Sequence, residues 1–274
     1  KFSSSKIEAS SVISPCFNFD SIERPMIKLW LNTRFDWNRD GAALQYKIGD
    51  TLSWEYVGTL DDGINWYNST LIKGRPGGDQ LGWSSRISDA AKWTESRHKI
   101  DDLRGKKDVK FRIIYGSDGT ALNNEGLAFD DIWIGERTRN VLFEHFANLS
   151  SNKSSVVTAK INTIVQNNPQ DVINIQYHTN FPGADPYYNE NPADNSARIL
   201  YYGLIKAPYS FIDGGNDLEN YARFFDYYIP DIDSNDVTRR SLINPFFSIT
   251  VNSDVASGIL SVDGQIKALE NITN

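Results

Sequence analysis

The sequence has few of the residues with which enzymes bind metals or carry out redox chemistry. It contains one cysteine, Cys16, which excludes an internal disulfide and a cysteine-based zinc site. Its three histidines, His98, His145 and His178, are far apart in sequence. No apolar run approaches the roughly 18 residues that a membrane-spanning helix needs, so we expect no transmembrane segment.

Positive charge is also scarce. Lys and Arg total 28 against 35 Asp and Glu, which gives a formal net charge of −7. Because a protein that binds the phosphate backbone needs a basic surface, this balance argues against a nucleic-acid partner.

The 274 residues correspond to about two domains at roughly 150 residues each. We find no signal peptide at the start, and the abrupt ends predict a trimmed piece of a longer protein.

The first half is patterned as short strands. Apolar and polar residues alternate in several stretches between residues 17 and 134, separated by turn signals such as Asp40-Gly41 and Asp118-Gly119. Many short strands with frequent turns favour an all-β sandwich over residues 1–138. The predicted strands are residues 26–31, 43–48, 54–57, 109–115 and 127–134.

The pattern changes after residue 139. An amphipathic helix is predicted over residues 154–166, because apolar residues share one face and Pro169 provides the stop. Strand and helix then alternate, which indicates an α/β domain over residues 139–245 and the start of a further β module over residues 246–274. The apolar face contains Val156, Val157, Ala159, Ile161, Ile164 and Val165. The other predicted elements are helices over 194–202 and 218–228 and strands over 141–146, 172–177, 209–212, 246–251 and 258–269.

Two segments of the α/β half resemble the thioredoxin-like domain of secreted and outer-membrane proteins of Bacteroidota. They are residues 141–148 (Val-Leu-Phe-Glu-His-Phe-Ala-Asn) and 201–214 (Tyr-Tyr-Gly-Leu-Ile-Lys-Ala-Pro-Tyr-Ser-Phe-Ile-Asp-Gly). The family often carries a Cys-x-x-Cys pair six or seven residues after the Glu of the first segment. In this chain the same window holds Ser151 and Ser154, so the resemblance implies the fold without its redox pair.

A serine hydroxyl is too weak an acid to replace a thiolate and forms no disulfide, so thiol–disulfide exchange is not expected. The two serines have a structural and a functional interpretation. Ser151 or Asn152 can cap the free N–H groups at the start of the helix. The alternative is a serine nucleophile with His145 as its base, which we discount because no pattern brings the two together.

The loop around Pro208 extends the same resemblance. Thioredoxin-like folds carry a cis-proline here, beside the active site, and it helps to hold an extended peptide. The Ala207-Pro208 bond is therefore a candidate cis peptide bond, and an ordinary turn before a strand is the alternative.

The first half resembles the jelly-roll modules of the MAM and cleaved-adhesin groups found in secreted Bacteroidota proteins. Such modules serve adhesion, display, and glycan or protein binding, and they often hold a structural cation. The matching residues are 14–20, 41–46, 63–68, 82–83, 111–112, 116–118 and 125–132.

Aromatic residues in this half offer a ligand-binding hypothesis. Trp37, Trp66 and Tyr67 could stack against sugar rings, because aromatic side chains present flat faces with one polar group. Core packing is the alternative, since large aromatic residues of a two-sheet sandwich usually face inward.

Acidic residues offer a metal-binding hypothesis. Asp20 and Asp130 are candidate ligands for a structural Ca²⁺, which prefers oxygen ligands. Strand alternation sends Asp130 and Asp131 to opposite faces, so one of them should face inward and need a metal or a partner such as Arg112.

The sequence therefore predicts a non-enzymatic binding or structural protein, secreted or held at the cell surface. Its partners would be proteins at the outer membrane or cell surface, and glycans are a further class. The resemblances imply cargo or an accessory of the type IX secretion machinery. The alternatives are a calcium-dependent carbohydrate-binding adhesin and a secreted hydrolase that uses acidic residues near the Trp-rich face.

Overall fold

The protein is rich in β-structure and contains several antiparallel sheets. The computed structural model describes residues 7–49, 53–85, 92–120, 125–215 and 234–271. The chain divides into two compact units, Lys1–Leu242 and Ile243–Asn274. The helix predicted over residues 218–228 lies outside the described residues.

The first part of the larger unit consists of two antiparallel sheets. One sheet has the strand order β1-β6-β3-β4 and the other has the order β5-β2-β7. The strands are β1 (Ala9–Ile13), β2 (Pro25–Arg34), β3 (Gly41–Ile48), β4 (Glu55–Tyr56), β5 (Thr94–Lys99), β6 (Val109–Gly116) and β7 (Gly126–Glu136).

The two sheets share one apolar core. Strand β2 alternates as the sequence predicts, with Leu29 and Leu31 buried and Trp30 on the other face exposed. Strands β3 and β6 contribute Leu44 and Phe111 to the same core. Burial of such side chains stabilises the fold by about 1.5–3 kcal/mol each.

A β-bulge interrupts the alternation in β7. The register between β2 and β7 shifts between Lys28 and Trp30, and Asp131 takes a left-handed backbone conformation with φ 47°. As a result both Asp130 and Asp131 are exposed. The expectation that one of them faces inward is therefore wrong, because a bulge inserts an extra residue and re-aims the side chains around it.

The second part of the larger unit mixes strands and helices around a three-stranded sheet of order β10-β8-β9. Strand β9 runs parallel to β8, and β10 runs antiparallel to it. The elements are β8 (Val141–Ala147), α1 (Asn152–Asn167), β9 (Val172–His178), α2 (Pro186–Glu190), α3 (Pro192–Tyr202), β10 (Tyr209–Ile212) and α4 (Ser234–Ser241).

Helix α1 packs its apolar face on one side of this sheet. Val157, Ile161 and Ile164 are buried against Val141 and Phe143 of β8. Val156, predicted on the same face, is 71% exposed, because it is one residue out of step with the i, i+4, i+7 spacing of the buried positions. Helix α3 ends at Tyr202, before Gly203 in the left-handed conformation, as predicted.

The smaller unit is a two-stranded antiparallel ribbon of β11 (Phe247–Ala256) and β12 (Ile259–Ala268). Paired residues share a face, so Ile249 lies beside Ile266 and Val255 beside Leu260. This apolar face is exposed along its whole length. No helix among the described residues is both long enough and apolar enough to span a membrane.

Candidate functional site

The segment predicted to be a degenerate redox site lies at the start of α1. Ser151 occupies the N-cap position, but its side chain makes no capping hydrogen bond. Ser154 is buried, and its Oγ accepts a hydrogen bond from the Asn148 backbone N–H at 3.1 Å. The helix therefore begins at Asn152, two residues before the predicted stretch of 154–166, and the hydroxyl that satisfies a backbone N–H belongs to Ser154 and not to Ser151.

His145 lies on the face of β8 that meets α1. Its Nδ1 is 2.8 Å from Ser210 Oγ, and its Nε2 is 2.9 Å from Thr158 Oγ1. Burial lowers the pKa of His145 to about 4. Both ring nitrogens are thus engaged by hydroxyls other than those of Ser151 and Ser154, and the ring is neutral at neutral pH.

Pro208 lies at the same end of the sheet as the serine segment. The Ala207-Pro208 peptide bond is cis, so of the two alternatives that the sequence left open the cis candidate holds. Tyr209, the next residue, pairs with Phe146 near the end of β8, and β8 leads directly into the loop before α1.

A buried ion pair occupies the opposite face of the sheet. Glu144 of β8 accepts hydrogen bonds from Arg198 Nε and Nη2, the latter at 2.7 Å, and from the Tyr202 hydroxyl. Burial alone would raise the pKa of Glu144, but these hydrogen bonds outweigh it and hold the pKa below its usual value. Burial and the hydrogen bond to Glu144 raise the pKa of Tyr202.

Arg198 also borders an open cleft of about 650 Å³ between β9, α2 and α3. Apart from one alanine, the lining consists of polar and aromatic side chains. They are Gln176, Tyr177, His178, Tyr187, Asn191, Asp194, Asn195, Ala197, Arg198 and Tyr201.

Asp185 connects this cleft with the serine loop. Its buried carboxylate accepts a hydrogen bond from the Leu149 backbone N–H at 2.8 Å and lies 3.0 Å from His178 Nδ1. It also caps α2 by accepting from the Tyr187 N–H at 2.9 Å. Burial would raise the pKa of Asp185, but the hydrogen bonds from His178 and Leu149 outweigh it and lower the pKa. One carboxylate thereby fixes the His178 ring at the edge of the cleft.

Two of the three aromatic residues predicted to bind sugar, Trp66 and Tyr67, belong to the core of the β half. Trp66 is 2% exposed and donates from Nε1 to the Val57 carbonyl, and Tyr67 is fully buried with its hydroxyl bonded to Leu44. Neither ring presents a face to a ligand, so the core-packing alternative holds for both. Trp37 is half-buried.

The predicted metal ligands do not meet in a cluster. Asp20 pairs with Lys107 at 2.8 Å on the surface, and Asp130 accepts from the Asp131 backbone N–H. Arg112, predicted as a partner for whichever of Asp130 and Asp131 faces inward, instead donates to Gln45 Oε1. Among the residues described here, no three His, Cys, Asp or Glu side chains are grouped to hold a metal ion. A Ca²⁺ site and the hydrolase alternative both stay predictions.

The cleft was not predicted from the sequence, although the starts of two of its helices carry a local signal. Asp185-Pro186 and Asn191-Pro192 each combine an N-cap residue with proline at the first helical position. These two dipeptides mark the starts of α2 and α3, whose side chains line the cleft.

Comparison with known proteins adds no assignment, since no family model and no curated protein matches the chain.

Proposed function

We propose that the protein is a non-enzymatic binding protein, secreted or displayed at the cell surface. In this proposal residues 1–138 form a jelly-roll sandwich, and residues 139–245 form a thioredoxin-like domain that has lost its redox pair. The observation that carries the proposal is the pair Ser151 and Ser154 at the start of α1, beside a cis-proline loop.

The arrangement of the second part supports the thioredoxin-like half of the proposal. A central strand, β8, is followed by a helix and a parallel neighbour, and a second neighbour runs antiparallel after a cis-proline. The start of α1 and the loop before β10 therefore both lie at the C-terminal end of β8, as a thioredoxin-like redox site requires.

The chemistry of the two hydroxyls supports the non-enzymatic half. Thiol–disulfide exchange needs a sulfur that ionises near ambient pH, which a helix N-terminus favours for cysteine. Ser154 is buried, and its Oγ accepts a hydrogen bond from the protein backbone. The two ring nitrogens of His145 bond to the hydroxyls of Ser210 and Thr158. These observations support a thioredoxin-like scaffold that does not carry out electron transfer.

The β half supports a role in binding or display. Its two antiparallel sheets close around one core, an architecture consistent with the jelly-roll modules that the sequence resembles. The partners proposed from that resemblance are proteins of the outer membrane or cell surface, reached through the type IX secretion machinery.

Restoring the cysteines tests the proposed redox ancestry. In a Cys16→Ser background, the double variant Ser151→Cys, Ser154→Cys should form an internal disulfide, measured as a loss of two hydrogens by mass spectrometry. It should also catalyse insulin reduction by dithiothreitol, whereas the unchanged protein should not.

A mismatched pair provides the control. Ser150→Cys combined with Ser155→Cys places two thiols in the same segment without the Cys-x-x-Cys spacing, and this variant should remain inactive. Insulin reduction by the unchanged protein, or no disulfide in the 151/154 variant, would contradict the proposal.

A further inference from the structure

We propose that the cleft between β9, α2 and α3 binds a neutral carbohydrate. This inference deepens the proposed binding function and rests on it, because it names a ligand class and a site for that function. It also moves the predicted sugar site from Trp37, Trp66 and Tyr67 to the α/β half.

Two tyrosine rings supply the stacking surface. Tyr187 of α2 is 59% exposed and Tyr201 of α3 is 69% exposed, although large aromatic residues are usually much more buried. The Arg198 guanidinium lies 4.5 Å from the centre of the Tyr201 ring, and the His178 ring lies 4.8 Å from that of Tyr187. Each tyrosine is therefore held by a planar neighbour, which lowers the entropy cost of stacking a ligand on it.

The polar side chains of the cleft are held in place by bonds within the protein. Asn191 Oδ1 accepts from the Asp194 N–H, Asn195 Oδ1 accepts from the His178 N–H, and Arg198 is fixed by Glu144. These contacts orient the groups before any ligand arrives. A pre-organised polar lining of this kind gives specificity for hydroxyl groups.

Several polar atoms remain available to a ligand. Within the described part of the chain, Arg198 Nη1, Asp194 Oδ1 and the hydroxyls of Tyr187 and Tyr201 make no hydrogen bond. Donors and acceptors are thus mixed along the cleft. A sugar hydroxyl both donates and accepts, so it matches such a mixture.

The charges disfavour an anionic ligand. Glu144 neutralises Arg198, and Asp185 lies beside His178, while Asp194 adds a further carboxylate. No cation is left over to recognise a phosphate or a sulfate among the described lining residues.

The lining also has a single aliphatic side chain, Ala197, so it offers no apolar pocket for a peptide anchor. The cleft volume lies within the range of about 300–1,000 Å³ that small-molecule sites occupy.

The test is saturation-transfer NMR with a panel of neutral sugars at millimolar concentration. The panel contains glucose, galactose, mannose, N-acetylglucosamine and their common disaccharides. At least one sugar should bind the full chain, and Tyr187→Ala and Tyr201→Ala should each weaken that binding about tenfold. Both residues are exposed, so the variants should fold.

Two matched variants serve as controls. Leu200→Ala removes an exposed side chain next to Tyr201 on the same helix but outside the cleft lining, and Trp93→Ala removes an exposed aromatic ring of the β half. Both should bind the sugar as the unchanged protein does. No binding of any sugar, or binding that survives in the double variant Tyr187→Ala, Tyr201→Ala, would overturn the assignment.

A peptide probe separates failure of this inference from failure of the proposed function. Binding of carboxymethylated insulin B chain that is lost in the tyrosine variants, with no sugar binding, would overturn the carbohydrate assignment and leave the binding function standing. Insulin reduction by the unchanged protein would contradict the proposed function, whatever the sugar result.

Discussion

Arg137 and Asp171 form a buried, two-armed ion pair between the β half and the α/β half of the larger unit. Arg137 Nε and Nη2 donate to the two carboxylate oxygens of Asp171 at 3.0 and 2.9 Å. Arg24 also donates to Asp171, and Asp101 accepts from Arg137, so two arginines and two aspartates balance one another. The two halves are therefore joined by a charge network as well as by the chain.

Removal of one member of this network should be strongly destabilising. Arg137→Ala leaves the buried carboxylate of Asp171 with only part of its partners, and such losses cost about 3–5 kcal/mol. Urea denaturation should show a decrease of this size in the free energy of unfolding. Arg104→Ala is the control, because its pair with Glu23 is exposed and should contribute less than about 1 kcal/mol. Equal effects of the two variants would contradict this interpretation.

Acid should weaken the junction between the halves. Burial would raise the pKa of Asp171, but hydrogen bonds from Arg137 and Arg24 outweigh it and lower the pKa. The stabilisation is then complete above the pKa of an unfolded aspartate, about 3.9, and is lost as the pH falls from there through the lower native value. Denaturation curves between pH 5 and pH 2 should show this loss in the unchanged protein and a smaller one in Asp171→Asn.

Protonation of His145 should make the free energy of unfolding depend on pH in a milder acid range than protonation of Asp171 does. Its native pKa of about 4 lies below the unfolded value of about 6.5, so the unfolded chain binds the proton first. Stability is therefore full above pH 6.5 and falls as the pH decreases toward 4, by about 2 kcal/mol at pH 5. His145→Gln should remove this slope, because the amide does not titrate. An unchanged slope in the variant would assign the effect to other groups.

Loss of the Ser154 hydroxyl should lower the free energy of unfolding more than loss of the Ser151 hydroxyl. Ser154→Ala leaves the buried Asn148 N–H without its acceptor, which costs about 1–3 kcal/mol. Ser151→Ala should change the unfolding free energy by less than about 0.5 kcal/mol, because the Ser151 side chain makes no capping bond. Thermal denaturation of the two variants measures both effects, and a larger effect at Ser151 would restore it as the cap.

The tryptophans should divide into core and surface positions. Trp66→Ala removes a fully packed ring and should lower the unfolding free energy by about 3–5 kcal/mol. Trp93→Ala, which truncates an exposed ring, should cost about 1 kcal/mol or less. Urea denaturation followed by far-UV circular dichroism compares them. A folded, stable Trp66→Ala protein would reopen the stacking hypothesis for that residue.

The strands that alternate in sequence were predictable, and those that do not alternate were missed. β2 and β6 could be predicted because their alternating apolar residues are buried in a shared core, and β7 could be predicted because Leu127, Phe129 and Ile134 pack against that core. β5 (Thr94–Lys99) consists mostly of polar residues and exists because β2 pairs with it, a long-range effect that no local pattern reports. The bulge at Asp131 was missed for the same reason, since it depends on the register with β2.

Part of the candidate site could be predicted from the sequence, and part could not. The start of α1 follows from capping residues that are close in sequence, whereas the cis candidate before Pro208 came from the resemblance to thioredoxin-like folds. The cleft requires residues from β9, α2 and α3 to meet, and polar side chains such as Gln176 and Asn195 carry no periodic signature. The burial of Trp66 was likewise undecided, because alternation in a loop does not specify which side faces the core.

The exposed apolar face of the β11–β12 ribbon should make concentrated solutions of this chain prone to aggregate. An exposed apolar face and unpaired strand edges both favour association between molecules. Ile249 and Ile266 lie side by side on this face. Replacing both with threonine keeps the β-propensity and removes two large apolar side chains from the exposed face. Light scattering of concentrated purified protein should decrease in the double variant.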